Sequence, residues 1–172
     1  VQLGCSYTYC VRPGWISVDA QVSIPAHVVA DAQNLRTAFV DQSISLLYAS
    51  HILEHVSKEQ AKDVLAEWRR VLTPGGIILL AVPDIEAILS LFAKNRSFSE
   101  RELLIDILYG GHDSEFNVHH TGYFFESLKR LLQSANFCNV RRLHRFGLFS
   151  DSSEFGIEGN KTLSLNVVAT AC

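Results

Sequence analysis

The chain lacks methionine altogether, holds only four prolines in 172 residues, and has no apolar run near the roughly 20 residues that a bilayer-spanning helix needs. That last absence excludes a transmembrane helix. No apolar segment with a basic flank opens the sequence, so no signal peptide is expected within these residues. The first residue is Val, so an N-terminal segment is expected to precede this numbering. The four cysteines, Cys5, Cys10, Cys138 and Cys172, form no CxxC pair. A zinc knuckle or a dense disulfide framework is thereby excluded. Reduced thiols in a cytoplasmic protein are the expectation, with a Cys5–Cys10 bridge as the alternative. Charge of one sign is also scarce: the net charge is −3 and the isoelectric point about 6.2. Nothing in that balance draws the chain to nucleic acid or to an anionic membrane. Repeats and low-complexity tracts are absent. What is present is 48% apolar and 19% charged residues, a composition that excludes disorder and suits a single domain over residues 1–172.

Short β-type runs alternate with helical ones. Residues 1–4, 15–19, 27–31 and 44–49 read as strands, the last almost wholly apolar. Residues 58–72 are the clearest helix, with Val64, Leu65, Trp68, Val71 and Leu72 at helical spacing and Ser57 as its N-cap. Thr73-Pro74-Gly75-Gly76 stops it, and residues 77–82 (IILLAV) form the next strand. Helices near 84–94 and 99–109, a polar loop over 110–122, a helix over 126–135, and strands near 138–144 and 162–171 complete the reading. Apolar strands joined by helices imply a doubly wound, mostly parallel α/β sheet. The last two strands, joined without a helix, are expected to pair antiparallel. Only ten residues connect Cys5 to Gly14, so the first crossover helix is expected to be shortened.

In such a sheet ligands lie beyond the carboxyl ends of the strands. Gly4-Cys5-Ser6 follows the first strand, Asp19 ends the second, Asp31-Ala32 ends the third, and Ser50-His51-Ile52-Leu53-Glu54-His55 follows the fourth. A glycine turn with an acid one strand later suits an adenosine: the glycine admits the ligand to the backbone, and the carboxylate accepts hydrogen bonds from ribose hydroxyls. A second acid one strand further on can reach the adenine amino group.

On these residues the chain resembles the class I S-adenosylmethionine-dependent methyltransferases. Within them it is similar to a subgroup of small methyltransferases whose first motif reads like LGCG…PGWINVD. The matching segments are LGCSYTYCVRPGWISVD (3–19), DAQNL (31–35), YASHILEH (48–55), EWRRVLTPGGIILLAVPD (67–84) and the later segment 110–137. The resemblance implies a Rossmann-like methyltransferase fold and S-adenosylmethionine as cofactor, with S-adenosylhomocysteine as product. It implies that Gly4, Cys5 and Ser6 lie along the methionine part, that Asp19 binds the ribose, that Asp31 and Ala32 contact adenine, and that Ser50 and His51 border the cofactor and the substrate mouth. The acceptor is expected to be a small or carbohydrate-like molecule on a wall built from 84–125. Glu54, His55 and His119 are the candidates for removing its proton. The chain departs from the family pattern at Ser6, where a second glycine is usual, and at Ser45, where an acid is usual. The alternative reading is a non-catalytic methyltransferase-like scaffold with weak or no cofactor binding. A nucleotide-dependent oxidoreductase on a similar sheet ranks last, because no GxGxxG turn leads into a full helix.

Several residues have bland readings beside the sharp ones. His51-Ile52-Leu53-Glu54-His55 fits the H-x-x-E-H run of one zinc peptidase class. It follows a buried parallel strand and no third ligand stands out, so no metal is expected. His112 and His120 read as solvated loop residues, whereas His119 is a functional candidate. Tyr7 and Tyr9 could stack on a ring; Trp15 and Trp68 read as core, Arg69-Arg70 as a solvated helix face, and Asp84 as a helix cap.

Overall fold

The computed structural model describes residues 1–5, 12–94, 96–114, 116–156 and 162–172. Seven strands form one sheet: β1 (Gln2–Leu3), β2 (Ser17–Asp19), β3 (Val28–Val29), β4 (Ile44–Ser50), β5 (Leu72–Pro83), β6 (Phe137–Leu143) and β7 (Ser164–Ala171). Their order is β3-β2-β1-β4-β5-β7-β6. The five from β1 to β5 are parallel to their neighbours, while β7 runs antiparallel between β5 and β6. The chain order reverses between β1 and β4, so the loops after those two strands diverge and open a crevice there.

Among the described residues four α-helices accompany the sheet: α1 (Ala61–Val71), α2 (Ile85–Phe92), α3 (Phe98–Tyr109) and α4 (Phe125–Ser134). Ser57 sits one turn ahead of where a cap for α1 would act. It holds the 57–60 turn through its main-chain carbonyl, and the helix begins at Ala61. Asp84 does cap α2, accepting from the Glu86 and Ala87 amides, and it also pairs with Arg142.

The two faces of the sheet are covered differently. Along β4, alternate side chains point to opposite faces. Leu47 and Ala49 join Val64, Leu65, Trp68 and Val71 of α1, with Leu128 and Leu132 of α4, in the main apolar core. Tyr48 faces the other way. Between β1 and β4 the crossovers carry no helix among the described residues, so the shortened first crossover is part of a wider trimming. Aromatic side chains take the place of a helix: Trp15 and Phe149 pack on each other with ring centres 5.0 Å apart, and both pack on Tyr48, as does Phe146. The Tyr48 hydroxyl donates to Asp151 at 2.7 Å, and burial raises its phenol well above the usual range, keeping it a donor.

Two sequence expectations are corrected here. Cys138 and Cys172 form a disulfide, with Cα atoms 5.8 Å apart, and Cys5 is disulfide-bonded as well. The antiparallel register sets Cys138 opposite Thr170, which brings the 34-residue separation to bonding distance. Such a pairing is invisible in a linear spacing. Arg70 is not a solvated helix residue: it forms a clamp with Glu67 and with Asp41. The α1 helix also extends beyond packing, because Glu67 accepts the Leu35 amide at 2.9 Å and the Trp68 indole donates to the Ala32 carbonyl at 2.8 Å. The segment after β3 is thus fixed by α1 rather than by a helix of its own. Ser6, Tyr7, Tyr9 and Cys10 lie outside the described residues.

Arg70 holds the Glu67 carboxyl below its ordinary 4.5 despite partial burial. A carboxyl depressed on folding stabilises the native state above its unfolded value and loses that contribution as pH falls through the folded one. Stability measured by urea denaturation is therefore expected to drop below about pH 4.5, and Glu67→Gln is expected to flatten that part of the profile while lowering stability at neutral pH by about 1–3 kcal/mol.

Candidate active site

The carboxyl ends of β1, β2, β3 and β4 surround one cavity of about 300 Å³. Gly4, Asp19, Asp31, Ala32 and His51 line it, together with Gln21, Gln33, Ile52 and Phe116. Gly4 has φ +61°, a left-handed conformation that costs other residues strain, and Ile52 Cδ1 occupies the room that a Cβ would need. Asp19 is oriented by its own neighbourhood: one carboxylate oxygen accepts the Cys5 amide at 3.0 Å, and the other accepts the Gln21 amide at 3.0 Å. Each oxygen keeps a further lone pair for a ligand hydroxyl. Asp31 is braced in the same way by the Gln33 amide at 2.8 Å. Cys5 does not line this cavity; its amide positions Asp19. Ser50 does not line it either and sits within β4 opposite Ala81.

A second cavity of about 350 Å³ adjoins the first. His51 and His55 line both, so they form the common wall. The far side of the second cavity is made by Asp106, Asn117, His119, Ser152, Phe155 and Ser164. Of these, only His119 was picked out from the sequence. The others come from the end of α3, the following loop, the 145–156 segment and β7, which converge only in three dimensions. The 84–125 wall expected from the sequence therefore supplies only part of this cavity.

His51, just past β4, has φ +56°, an uncommon backbone conformation for a residue with a side chain. It points its ring at two acceptors. Its Nδ1 lies 2.9 Å from Glu54 Oε1, and its Nε2 lies 2.8 Å from Ser164 Oγ. The Ser164 hydroxyl gives its proton to the Ser152 carbonyl at 2.6 Å. Both His51 nitrogens thus face side-chain oxygens, one of them of the Glu54 carboxylate. Glu54 is fully buried. Burial pushes its carboxyl up, but the charge and hydrogen bond of His51 outweigh that and leave it below the usual range.

Glu54, His55 and His119 meet beside this pair, offering ligand-type atoms within 4.8 Å of one another. The rings of His55 and His119 stand edge to face with centres 4.8 Å apart. Each has Nδ1 near a main-chain carbonyl, Val118 at 3.0 Å for His55 and Leu108 at 3.3 Å for His119. A proton on Nδ1 satisfies those contacts and leaves Nε2 with its lone pair. Burial lowers the His119 pKa, which favours that neutral ring. The loop is held in place from both ends. The His119 amide donates to Tyr109, and the His120 and Thr121 amides both donate to the Glu54 carbonyl. Gly110 has φ +84° and lies so close to the Asn117 carbonyl that no Cβ could fit. His112 and His120 remain exposed, as read from the sequence.

Residues 9–80 match the family model described as a methyltransferase domain. The match takes in 72 residues, less than half of the chain. A solved S-adenosylmethionine-dependent methyltransferase from Archaeoglobus fulgidus is 17% identical and superposes with a TM-score of 0.66, covering 98% of this chain and 84% of its own. One from Methanosarcina mazei, 18% identical, gives 0.56 over 90% of this chain and 80% of its own. A third, from Thermotoga maritima and described as a possible histamine N-methyltransferase, is 18% identical and gives 0.56 over 91% of this chain and 72% of its own. At these identities the structural likeness speaks for the fold. Comparison with curated proteins gave no match. The first cavity suits a nucleoside: a positive-φ glycine and two carboxylates on successive strand ends face one hollow of ligand size.

Asp19→Ala is expected to weaken binding of S-adenosylhomocysteine more than tenfold, through the loss of about two hydrogen bonds to the ligand, and Asp19→Asn, which keeps an acceptor for the Cys5 amide, separates that loss from any fall in the thermal melt. Isothermal calorimetry on all three proteins checks it.

Proposed function

We propose that this methyltransferase-like domain carries the methyl group of S-adenosylmethionine to a small-molecule or carbohydrate-like acceptor in the second cavity. The observation that carries the proposal is the shared wall: His51 and His55 border a nucleoside-sized cavity on one side and a polar cavity on the other. Direct displacement needs donor and acceptor aligned across a single short gap, and adjacent cavities with a common wall supply that. When bound, S-adenosylmethionine supplies an electrophilic methyl group on a sulfonium.

The roles of the chain's own residues follow from their positions. Asp19 accepts from the ribose hydroxyls, and Asp31 and Ala32 meet the adenine. Gly4 runs beside the methionine part, the Cys5 amide holds Asp19 in place, and His51 closes the cavity toward the acceptor. Glu54, His55 and His119 form the group that handles the acceptor's proton. Their placement at the edge of the second cavity supports this, as does the pair of Nε2 lone pairs. No helix among the described residues is long and apolar enough to cross a membrane, in keeping with a small-molecule acceptor reached from water. The paired cysteines weigh against the cytoplasmic placement expected from the sequence, because disulfides persist in oxidising compartments.

One observation favours the alternative of a scaffold with weak or no cofactor binding. The Ile52 side chain takes the space over Gly4, where the family's glycine admits the ligand. Ile52 Cδ1 is the free end of a side chain, and a rotamer change clears it. Calorimetry with S-adenosylhomocysteine decides: heat of binding supports the enzyme, and silence at millimolar ligand with folded protein supports the scaffold.

The activity itself is tested by incubating the protein with S-adenosylmethionine and a panel of hydroxyl- and amine-bearing small molecules. Release of S-adenosylhomocysteine is followed by mass spectrometry. His119→Ala is expected to lower the rate with any active acceptor by about 10²-fold or more, while S-adenosylhomocysteine binding changes little. Equal rates in both proteins would remove His119 from the chemistry.

A further inference from the structure

We propose that Glu54, His55 and His119 bind a divalent transition-metal ion, of which Zn²⁺ is the representative, at the edge of the second cavity. The inference deepens the proposed function at the same residues: with a cation held by both Nε2 atoms, the ion would polarise the acceptor in place of proton removal by free imidazoles, and it replaces the expectation that no metal is held.

The sequence motif pointed to a different set. In H-x-x-E-H read as a peptidase helix, His51 and His55 share one face and bind together. The chain does not form that helix. Residues 53–55 make a single 3-10 turn, and His51 sits before it with a left-handed backbone. His51 therefore turns away toward Ser164 and becomes a partner of Glu54. The turn leaves Glu54 and His55 side by side, and the 110–122 loop brings His119 against them. Two imidazoles and one carboxylate replace two imidazoles in sequence.

Three independent features fit a cation. First, the donor set is two nitrogens and one oxygen, which suits Zn²⁺, Fe²⁺ or Co²⁺ better than Mg²⁺ or Ca²⁺. Second, each ligand has the outer partner that metal ligands require. His55 and His119 each have a carbonyl at Nδ1, fixing Nε2 as the coordinating atom, and Glu54 is oriented by His51. Third, Glu54 is 1% exposed, and its Oε2 has no hydrogen-bond partner among the described residues. A buried carboxylate oxygen left without a partner is costly, and a cation satisfies it. The three ligands leave open coordination positions, the pattern of a catalytic rather than a structural site, and His55 and His119 both line the second cavity where an acceptor would sit.

The test uses tag-free, metal-stripped protein. Zn²⁺ is titrated by calorimetry, and Co²⁺ by its visible d–d absorption, which reports nitrogen and oxygen ligation directly. One equivalent per chain is expected, with a micromolar or tighter dissociation constant. His55→Ala and His119→Ala are each expected to weaken it by at least about tenfold and to change the Co²⁺ spectrum. His112→Ala, an exposed histidine of the same loop, is expected to leave both unchanged. Thermal melts establish that each variant is folded, and His119→Ala, at a half-buried loop position, serves if His55→Ala is not. Absence of Zn²⁺ heat at millimolar metal overturns the proposal, as does binding that survives both substitutions. S-adenosylhomocysteine titrated into the same samples separates the two readings. Its heat without metal heat removes the cation alone, whereas metal heat without it leaves the cation and removes methyl transfer.

Discussion

The Glu54 main chain and side chain together fix the site. Its carbonyl accepts the His120 and Thr121 amides, and the Thr121 hydroxyl donates to Val56. Those bonds staple the 110–122 loop to the turn that follows β4. Its side chain, buried beneath, meets His51 at one oxygen. Without the staple, His119 would belong to a long polar loop with no reason to stand near His55. With it, a residue 64 positions further along the chain, by 119 − 55, becomes the ring neighbour of His55. Buried charge of this kind persists only when its partners are in place, so the loop's conformation and the carboxylate's solvation depend on each other.

The crevice exists because chain order reverses between β1 and β4, but that explains only where ligands go. The walls come from less regular pieces. α1 fixes the segment after β3 through Glu67 and Trp68, and that segment carries Asp31 and Ala32. The Asp19 carboxylate is braced by amides on both sides of the crevice floor. Neither wall requires the crossover helices that the described residues between β1 and β4 lack.

Much of the fold could be read from the sequence because apolar runs and their breaks are local signals. The strands at 44–49 and 77–82 and the helix around Trp68 fall where periodicity put them, and the last two strands pair antiparallel, as expected from a connection read as having no crossover helix. The acids at strand ends were legible for the same reason, since position in a parallel sheet follows from order along the chain. Three things were not legible. The Cys138–Cys172 bond depends on strand register. The role of Arg70 depends on Asp41, brought close by the loop before β4. The identity of the histidine that joins Glu54 and His55 depends on a backbone sign at His51 that no pattern of apolar residues encodes.

The segment after β6 links these points. Phe146 and Phe149 cover the face of the sheet that Tyr48 presents, while Asp151 and Ser153 bond its hydroxyl. The next turn offers the Ser152 carbonyl to the Ser164 hydroxyl, whose oxygen faces His51 Nε2, and His51 Nδ1 in turn donates to Glu54. Ser152 and Phe155 from the same stretch line the second cavity. A segment that replaces a missing helix as core cover is therefore also the outer end of the hydrogen-bond chain that orients the buried carboxylate. In this chain the trimming of the sheet's first half and the construction of the acceptor side are one structural event. Covering the exposed face with aromatic residues from beyond β6 is what brings polar groups from beyond β6 to His51. A full helix in the same place would have covered Tyr48 equally well and left His51 without Ser152 behind its partner.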